Sequence, residues 1–301
     1  MKVSIDYEQC INCGRCAEIC PANVFEMQEK PLIVKEDACT LCGVCADQCP
    51  KQAIKIEMRG DAARFRASSS SKSEYAGMAE SLKDNLELRK SPVAIKLLKT
   101  DEELPDDVSP LDFPVRHCVS INMAAHGAVF YLPMDKHACA AAKAALGMAN
   151  LPEKVRNGTV PYMHGLAATQ EAAARIMAEI PKLPAGTVKG TMMAPLEKAT
   201  FEPDVIVLTV IPKQAMWIAN AFLFDSGSPR ITANFAGMQA SCADATGIPY
   251  ATKNVNFSVG CYGCRSAGKL ADDEMYVGIP YRQLKMVVEN LRGLGKAMKN
   301  L

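Results

Sequence analysis

The chain lacks most of the features that would point at once to an activity. Its 34 Lys and Arg against 33 Asp and Glu leave no field of one sign to gather phosphate backbones, so nucleic acid is not an expected partner. From 59 to 100 basic residues outnumber acidic ones, nine to five, which reads as a solvated face. The most apolar stretch, DVIVLTVIPKQAMWIANAFLFD, is broken by Pro212 and Lys213. It falls short of the about 20 unbroken apolar residues of a membrane span and reads as a buried strand followed by a helix. The opening residues, MKVSIDYEQC, hold no apolar run of the kind that directs secretion. The expectation is a cytoplasmic protein. Histidines number four, His117, His126, His137 and His164, and none stands in His-Glu-x-x-His or a recognisable Cys-His pair. No Gly-x-Ser-x-Gly elbow and no dinucleotide fingerprint occurs either.

Cysteine, in contrast, is abundant. Thirteen cysteines in a chain expected in a reducing compartment argue for metal ligation or redox chemistry, because disulfides do not persist there. Eight lie in an internal repeat, where IDYEQCINCGRCAEICPANVF is echoed by VKEDACTLCGVCADQCPKQAI. Each copy carries Cys-x-x-Cys-x-x-Cys-x-x-x-Cys-Pro. Short apolar pairs flank the runs (Val3 and Ile5, Val24 and Phe25, Ile33 and Val34, Ile54 and Ile56) and read as strand fragments closing a small two-fold sandwich.

Four thiolates around a cube of iron and sulfide cannot come from one regular helix or strand, so a loop must wrap the cube. Two-residue gaps let three cysteines converge on one cluster, and Gly14 allows the tight path. Residues 1–58 resemble the bacterial-type two-cluster [4Fe-4S] ferredoxins, both copies matching down to Pro21 and Pro50. The resemblance implies the crossing of that family, in which the fourth cysteine of each run serves the other cluster. Cys10, Cys13, Cys16 and Cys49 would then hold one cluster, and Cys20, Cys39, Cys42 and Cys45 the other. Zinc would call for two spaced pairs per ion and gives no reason for a triplet followed by Cys-Pro.

After Met58 the chain turns basic and serine-rich, RGDAARFRASSSSKSE, and 59–74 reads as a linker. From 75 to 301 strand-like runs (VAIKLL, AVFYL, VIVLTVI, NFSV) mix with helix-like ones (ACAAAKAALG, TQEAAARIMAEI, KQAMWIANAF, YRQLKMVVENL). One larger α/β or α+β domain is expected behind the small ferredoxin-like unit. The chain's sixteen methionines read mainly as core filling.

Five cysteines remain: Cys118, Cys139, Cys242, Cys261 and Cys264. The stretch GCYGCRSAGK matches Gly-x-x-x-x-Gly-Lys, but Leu270 stands where a phosphate loop needs a hydroxyl for magnesium. Arg265 and Lys269 keep some other anion open. A Cys-x-x-Cys pair joined by two distant cysteines is a common way to assemble four thiolates. Cys139, Cys242, Cys261 and Cys264 form the candidate third site, with Cys118 in reserve. Against it stands the behaviour of buried cysteine as a small hydrophobe. His137, two residues before Cys139, reads as structural, and Asp272, Asp273 and Glu274 as a loop entering a strand.

The blocks HCVSINMAAHGAVFYLPMDKHACAAAKAALGM, PDVIVLTVIPKQAM, ASCADA and SVGCYGCRSAGKLADDEMYVGIPYRQL resemble, in this order, the domain of unknown function 169 family of archaea and anaerobic bacteria. The resemblance implies a shared fold and carries no agreed activity. The expected protein passes electrons between two [4Fe-4S] clusters and a larger domain with a further cluster or a redox substrate site, as an oxidoreductase or part of one. Two other readings stand beside it: a non-catalytic docking subunit of a larger redox complex, and a metallocofactor delivery or assembly protein. A redox protein is the expected partner. Homo-oligomerisation stays open.

Overall fold

The computed structural model describes residues 2–20, 22–39, 44–57, 73–225, 227, 230–235 and 240–298. Cys42 and nearly all of the serine-rich segment lie outside the described residues.

The front unit follows the repeat. In chain order it comprises β1 (Lys2–Ile5), α1 (Arg15–Ile19), β2 (Phe25–Met27), β3 (Pro31–Ile33), α2 (Val44–Asp47) and β4 (Ile54–Glu57). Strands β1 and β4 pair antiparallel with Val3 opposite Ile56 and Ile5 opposite Ile54, while β2 and β3 form a hairpin with Phe25 opposite Ile33. The two apolar pairs of each repeat copy thus end in two separate ladders. Val24 and Val34 sit just past the hairpin, joined by a backbone hydrogen bond of 2.9 Å. Between the ladders Val3, Val24, Phe25 and Ile54 pack around Cys16, Cys20 and Cys45.

The larger domain is built on one sheet of six strands: β5 (Val93–Lys99), β6 (Phe130–Pro133), β7 (Val188–Pro195), β8 (Val205–Val210), β9 (Asn256–Ser258) and β10 (Met275–Pro280). Their order is β6-β7-β5-β8-β10-β9 and every neighbouring pair is antiparallel. The expected mixture of helix and strand is therefore found, on the α+β side. The sheet is covered on both faces. Alternation along the strands sends Ala94, Leu98, Ile206, Leu208 and Ile279 to one core and Val93, Ile95, Val205, Val207 and Tyr276 to the other.

Against the first face pack α3 (Ser73–Leu86), α9 (Pro212–Leu223) and α12 (Tyr281–Met298), through Leu82, Ile218 and Leu284. Pro212 opens α9 at a position where its missing N–H costs nothing, and Gln214 accepts from the Ile211 N–H at 2.8 Å. Against the second face lies α4 (His117–Ala125), through Ile121 and Ala124. Beside it α5 (Ala140–Ala145), α6 (Glu153–Arg156), α7 (Thr159–Met163) and α8 (Gln170–Glu179) form a smaller helical core of their own. A π-helical turn, Ala243–Gly247, leads into α10 (Ile248–Thr252), and α11 (Tyr262–Ser266) follows β9. The π turn lies directly on β10, because a Cβ at Gly278 would run into the Ala245 carbonyl. Only glycine permits so close an approach of two backbones.

Candidate metal centres

In the front unit the loop before α1 turns at Gly14, whose φ of 73° suits glycine. Beyond that turn Cys16 points back toward the loop. Cys10, Cys13, Cys16 and Cys49 line one cavity, walled by Ile5, Pro31 and Ile54. Cys49 reaches it from the far copy of the repeat, so the loops interleave at this point. Burial is the first cause raising the Cys16 thiol to about 11. Cys20 and Cys49, the last of each run, accept backbone N–H bonds from Val24 and Ala53, each 3.3 Å and four residues on. Such bonds to sulfur set cluster potentials. Cys20, Cys39 and Cys45 share one packed cluster of residues, and Cys42, the remaining candidate for the second cubane, lies outside the described residues. No disulfide joins any of the described cysteines.

The five later cysteines, scattered in sequence, come together. Val115 and His137 form a parallel bridge, which lays the start of α4 beside the segment entering α5. That brings Cys118, the second residue of α4, alongside Cys139, the N-cap of α5. Cys242 enters the π turn and Cys261 caps α11. A methyl placed on Gly263 would stand 3.8 Å from Cys261 Sγ and 3.9 Å from Cys118 Sγ, so those two sulfurs flank one point.

Electrostatics tells the same story of proximity. Burial is the first cause raising Cys118 (to about 12), Cys139 and Cys242. Behind it, Cys118 feels the charges of Cys261 and Cys139, Cys139 feels Cys261, and Cys242 feels Cys139, Cys261 and Cys118. Each of these four thiols is thus near enough to the other three for their charges to act on it. For Cys264 the main charge contacts are with Cys261 and Cys118. Cys261 alone is pulled well down, first by a hydrogen bond from the Cys264 thiol, and that same bond raises Cys264.

A polar network that sequence reasoning missed holds the fifth thiol. Ser241 Oγ lies 3.3 Å from Cys264 Sγ and accepts from the Cys261 N–H at 3.0 Å. Ser258 Oγ lies 3.4 Å from Ser241 Oγ and 3.3 Å from Asp244 Oδ2, either of which can take its one proton, and Asp244 also accepts from the Ala240 N–H at 3.0 Å. Burial raises the Asp244 carboxyl to about 6. The only hint in the sequence is the block ASCADA, quoted for its resemblance and not for its polar atoms.

The glycines of GCYGCRSAGK serve this packing. A Cβ at Gly268 would lie 2.9 Å from Cys264 Cα and 3.1 Å from Cys118 Cβ, and one at Gly260 would lie 3.1 Å from Cys264 Sγ. Arg265 is spent on backbone carbonyls, Val259, Ala271 and, at 2.9 Å, Glu274. So bonded, Arg265 is not arranged to hold a phosphate. Of the acidic triplet, Asp273 pairs with Arg89 at 2.9 Å, and Glu274, only 5% exposed, pairs with Lys90 at 2.6 Å. The triplet does form a loop entering β10, but the exposure expected of such a loop fails for Glu274, which is buried because Lys90 neutralises it.

His117 and His137 are buried stacked rings, centroids 5.9 Å apart. Their Nε2 atoms meet Thr246 and Thr191, each at 3.2 Å, while both Nδ1 atoms lack a partner. Burial depresses both, His117 to about 3. His137 is therefore structural but only half satisfied. His126 bonds its own helix at the Asn122 carbonyl, 2.8 Å.

The two units meet beside this site. Ile19, at the end of α1 and fully buried, packs in the same apolar cluster as Ala142, Val155, Val160, Cys242 and the half-buried Cys139. Lys154 Nζ donates to the Ala17 carbonyl at 3.2 Å. Among the described residues no group of three or more His, Cys, Asp or Glu is spaced for a single metal ion.

Residues 81–290 match the domain of unknown function 169 family, described as uncharacterised ArCR, and residues 9–53 match the 4Fe-4S dicluster domain. An uncharacterised protein of Methanocaldococcus jannaschii is 35% identical over 213 residues, covering 70% of this chain and 91% of that protein. A ferredoxin of Thermococcus litoralis is 51% identical over 41 residues, covering 12% of this chain and 68% of the ferredoxin. No solved structure matches. The dicluster match assigns two [4Fe-4S] clusters and an iron-sulfur electron-transfer role to the front unit.

Proposed function

We propose, from the premise that this chain belongs to the domain of unknown function 169 family, that its ferredoxin unit is the electron port of the larger domain. Electrons pass between the two front clusters and the buried thiol centre behind them. One observation carries the reading: Ile19, the neighbour of Cys20, is packed against the cluster of residues that contains Cys139 and Cys242. In the crossed ligand scheme Cys20 holds the second cubane with Cys39, Cys42 and Cys45, while Cys10, Cys13, Cys16 and Cys49 hold the first. Bound there, the clusters supply one-electron oxidation and reduction. The chain's part is to hold donor and acceptor together. Lys154 and Ile19 fix α1 on the helical core, so that the effective concentration of one centre beside the other is set by packing and not by diffusion.

A reductive titration of anaerobic protein tests this. Two cubanes alone take up about two electrons per chain; three or more are expected when the thiol centre takes part. Uptake of only two in the intact chain would overturn the reading. In Ile19→Asp the front clusters should still reduce while the additional uptake slows at least tenfold. A second reading, with an outside redox protein docking at the thiol centre, is favoured by Val259, Tyr262, Tyr162 and Leu166, all exposed. Tyr262 stands next to Cys261, and its ring lies 6.3 Å from that of His164.

A further inference from the structure

We infer that the larger domain holds a third iron-sulfur cluster whose ligands are Cys118, Cys139, Cys242 and Cys261, with Cys264 beside it as a hydrogen-bonded thiol that is not a ligand. The inference rests on the electron-port reading above and names the nature of its acceptor.

Four observations choose this set. First, the four thiols come from four separate segments, each aimed inward by a local device: the second residue of α4, the N-cap of α5, the entry to the π turn and the N-cap of α11. No single loop contributes more than one of them. Second, Cys261 and Cys118 flank one point, their sulfurs 3.8 and 3.9 Å from where a methyl on Gly263 would stand, and Cys139 and Cys242 share one packed cluster. Third, Cys264 is already committed. It has no exposed surface, and its sulfur lies between Ser241 Oγ at 3.3 Å and the Cys261 carbonyl at 3.0 Å. Gly260 closes a third side. The other four each keep some exposed surface. Fourth, the donor set is wholly thiolate, which selects soft or iron-sulfur centres.

Position then separates an iron-sulfur cluster from a zinc ion. Cys139 and Cys242 belong to the apolar cluster that also contains Ile19, the residue before Cys20, which is a ligand of the second cubane in the crossed scheme. A redox-inert ion at that place would give the contact nothing to conduct. With a cluster there the transfer balances in one step: a front cubane loses one electron and is oxidised, and the third cluster gains that electron and is reduced. No bond forms or breaks and no proton is required. Cys264, hydrogen-bonded to Ser241 and to the Cys261 backbone, fixes the turn that aims Cys261 and adjusts the potential through the hydrogen bonds around its sulfur.

Iron and sulfide analysis with electron paramagnetic resonance tests the assignment on the full chain, purified without oxygen. The wild type should hold more than eight irons, about twelve for a cubane or ten for a two-iron cluster. Single Cys→Ala changes at Cys118, Cys139, Cys242 and Cys261 should each return the count to about eight, the front signals serving as the internal control for folding. Cys264→Ala should keep the wild-type count and shift the signal or potential of the third cluster only. Eight irons in the wild type, zinc in the site, or loss of iron in Cys264→Ala with retention in Cys118→Ala would each overturn the inference. The electron count separates its failure from that of the parent reading. Eight irons with an uptake of about four electrons would leave the electron port standing and make Cys261 and Cys264 a dithiol couple.

Discussion

The two sets of cysteines reach the same kind of arrangement by opposite routes. From Cys10 to Cys49 the ligands are spaced along one repeat, and the loop between them is the site. From Cys118 to Cys264 the thiols are carried by four separate elements that a six-stranded sheet and its helices bring together. The front unit therefore depends on its clusters for a core: beyond cysteine, its fully buried cluster is little more than Val3, Val24, Phe25 and Ile54. The larger domain has a packed core on each face of its sheet before any thiol is counted. A site made of loops needs its metal in order to fold; a site set on a scaffold inherits its geometry.

Removing iron should break the symmetry between the two most strongly. Chelation under reducing conditions is expected to abolish amide-exchange protection throughout 2–57 and to leave it in β5, β7 and β8. Hydrogen exchange read by mass spectrometry checks this. Retained protection of β1 and β4 in the iron-free chain would show that the front unit folds on its apolar residues alone.

Acid should sharpen the contrast from the other side. All four histidines lie in the larger domain, and His117 and His137 are buried and held neutral, His117 down to about 3 from an ordinary 6.5. A depressed folded pKa gives stability that is present above the unfolded value and is lost as pH falls toward the folded one. Below pH 6.5 the larger domain should therefore lose about 1.4 kcal/mol per pH unit for each of these histidines, down to about pH 3 for His117. Denaturant midpoints measured between pH 7 and 5 read the net slope, in which the Asp244 carboxyl, raised to about 6, works in the opposite direction, and His117→Gln should remove one histidine's share of the loss.

Core truncation is expected to act on one partner only. Ile206, fully buried on the first face of the sheet, should cost about 2 to 5 kcal/mol as Ile206→Ala, with the front clusters' iron content unchanged. Loss of front iron in that variant would mean that the two units fold as one.

The same contrast explains which parts of the molecule were legible in the sequence. The front set was readable because spacing along a loop is a sequence property. Among the strands, β5, β6, β8 and β9 were readable from β-branched and aromatic runs. The central β7, VKGTMMAP, was not: it is buried on both faces, so it does not alternate, and Gly190 and two methionines dilute its strand character. The helix α4 was hidden inside a block quoted only for its resemblance, and the π turn has no sequence period of its own. For the later cysteines the residues were legible and their convergence was not. No spacing between Cys118 and Cys242 records that a bridge from Val115 to His137 and a glycine at 278 bring their elements together.

Two glycines supply the finest test of scaffold against loop. Gly268 approaches Cys264 Cα and Cys118 Cβ so closely that an added methyl must displace backbone. The α11 turn cannot give way cheaply, because Gly268 N donates to the Gly263 carbonyl at 3.1 Å and Leu270, whose N bonds the Cys264 carbonyl at 3.1 Å, is itself buried. Gly268→Ala should therefore cost about 1 to 3 kcal/mol, the range for overfilling a packed site. It should also alter the spectrum of the thiol centre while leaving the front signals untouched. Gly77, in α3, has nothing within 4 Å of where its Cβ would stand. Gly77→Ala is expected to stabilise the domain by up to about 1 kcal/mol through helix propensity, with no spectral change. If the two substitutions moved stability alike and neither touched the thiol centre, the glycines after Cys261 would be turn residues only, and the centre's geometry would have to come from the helices alone.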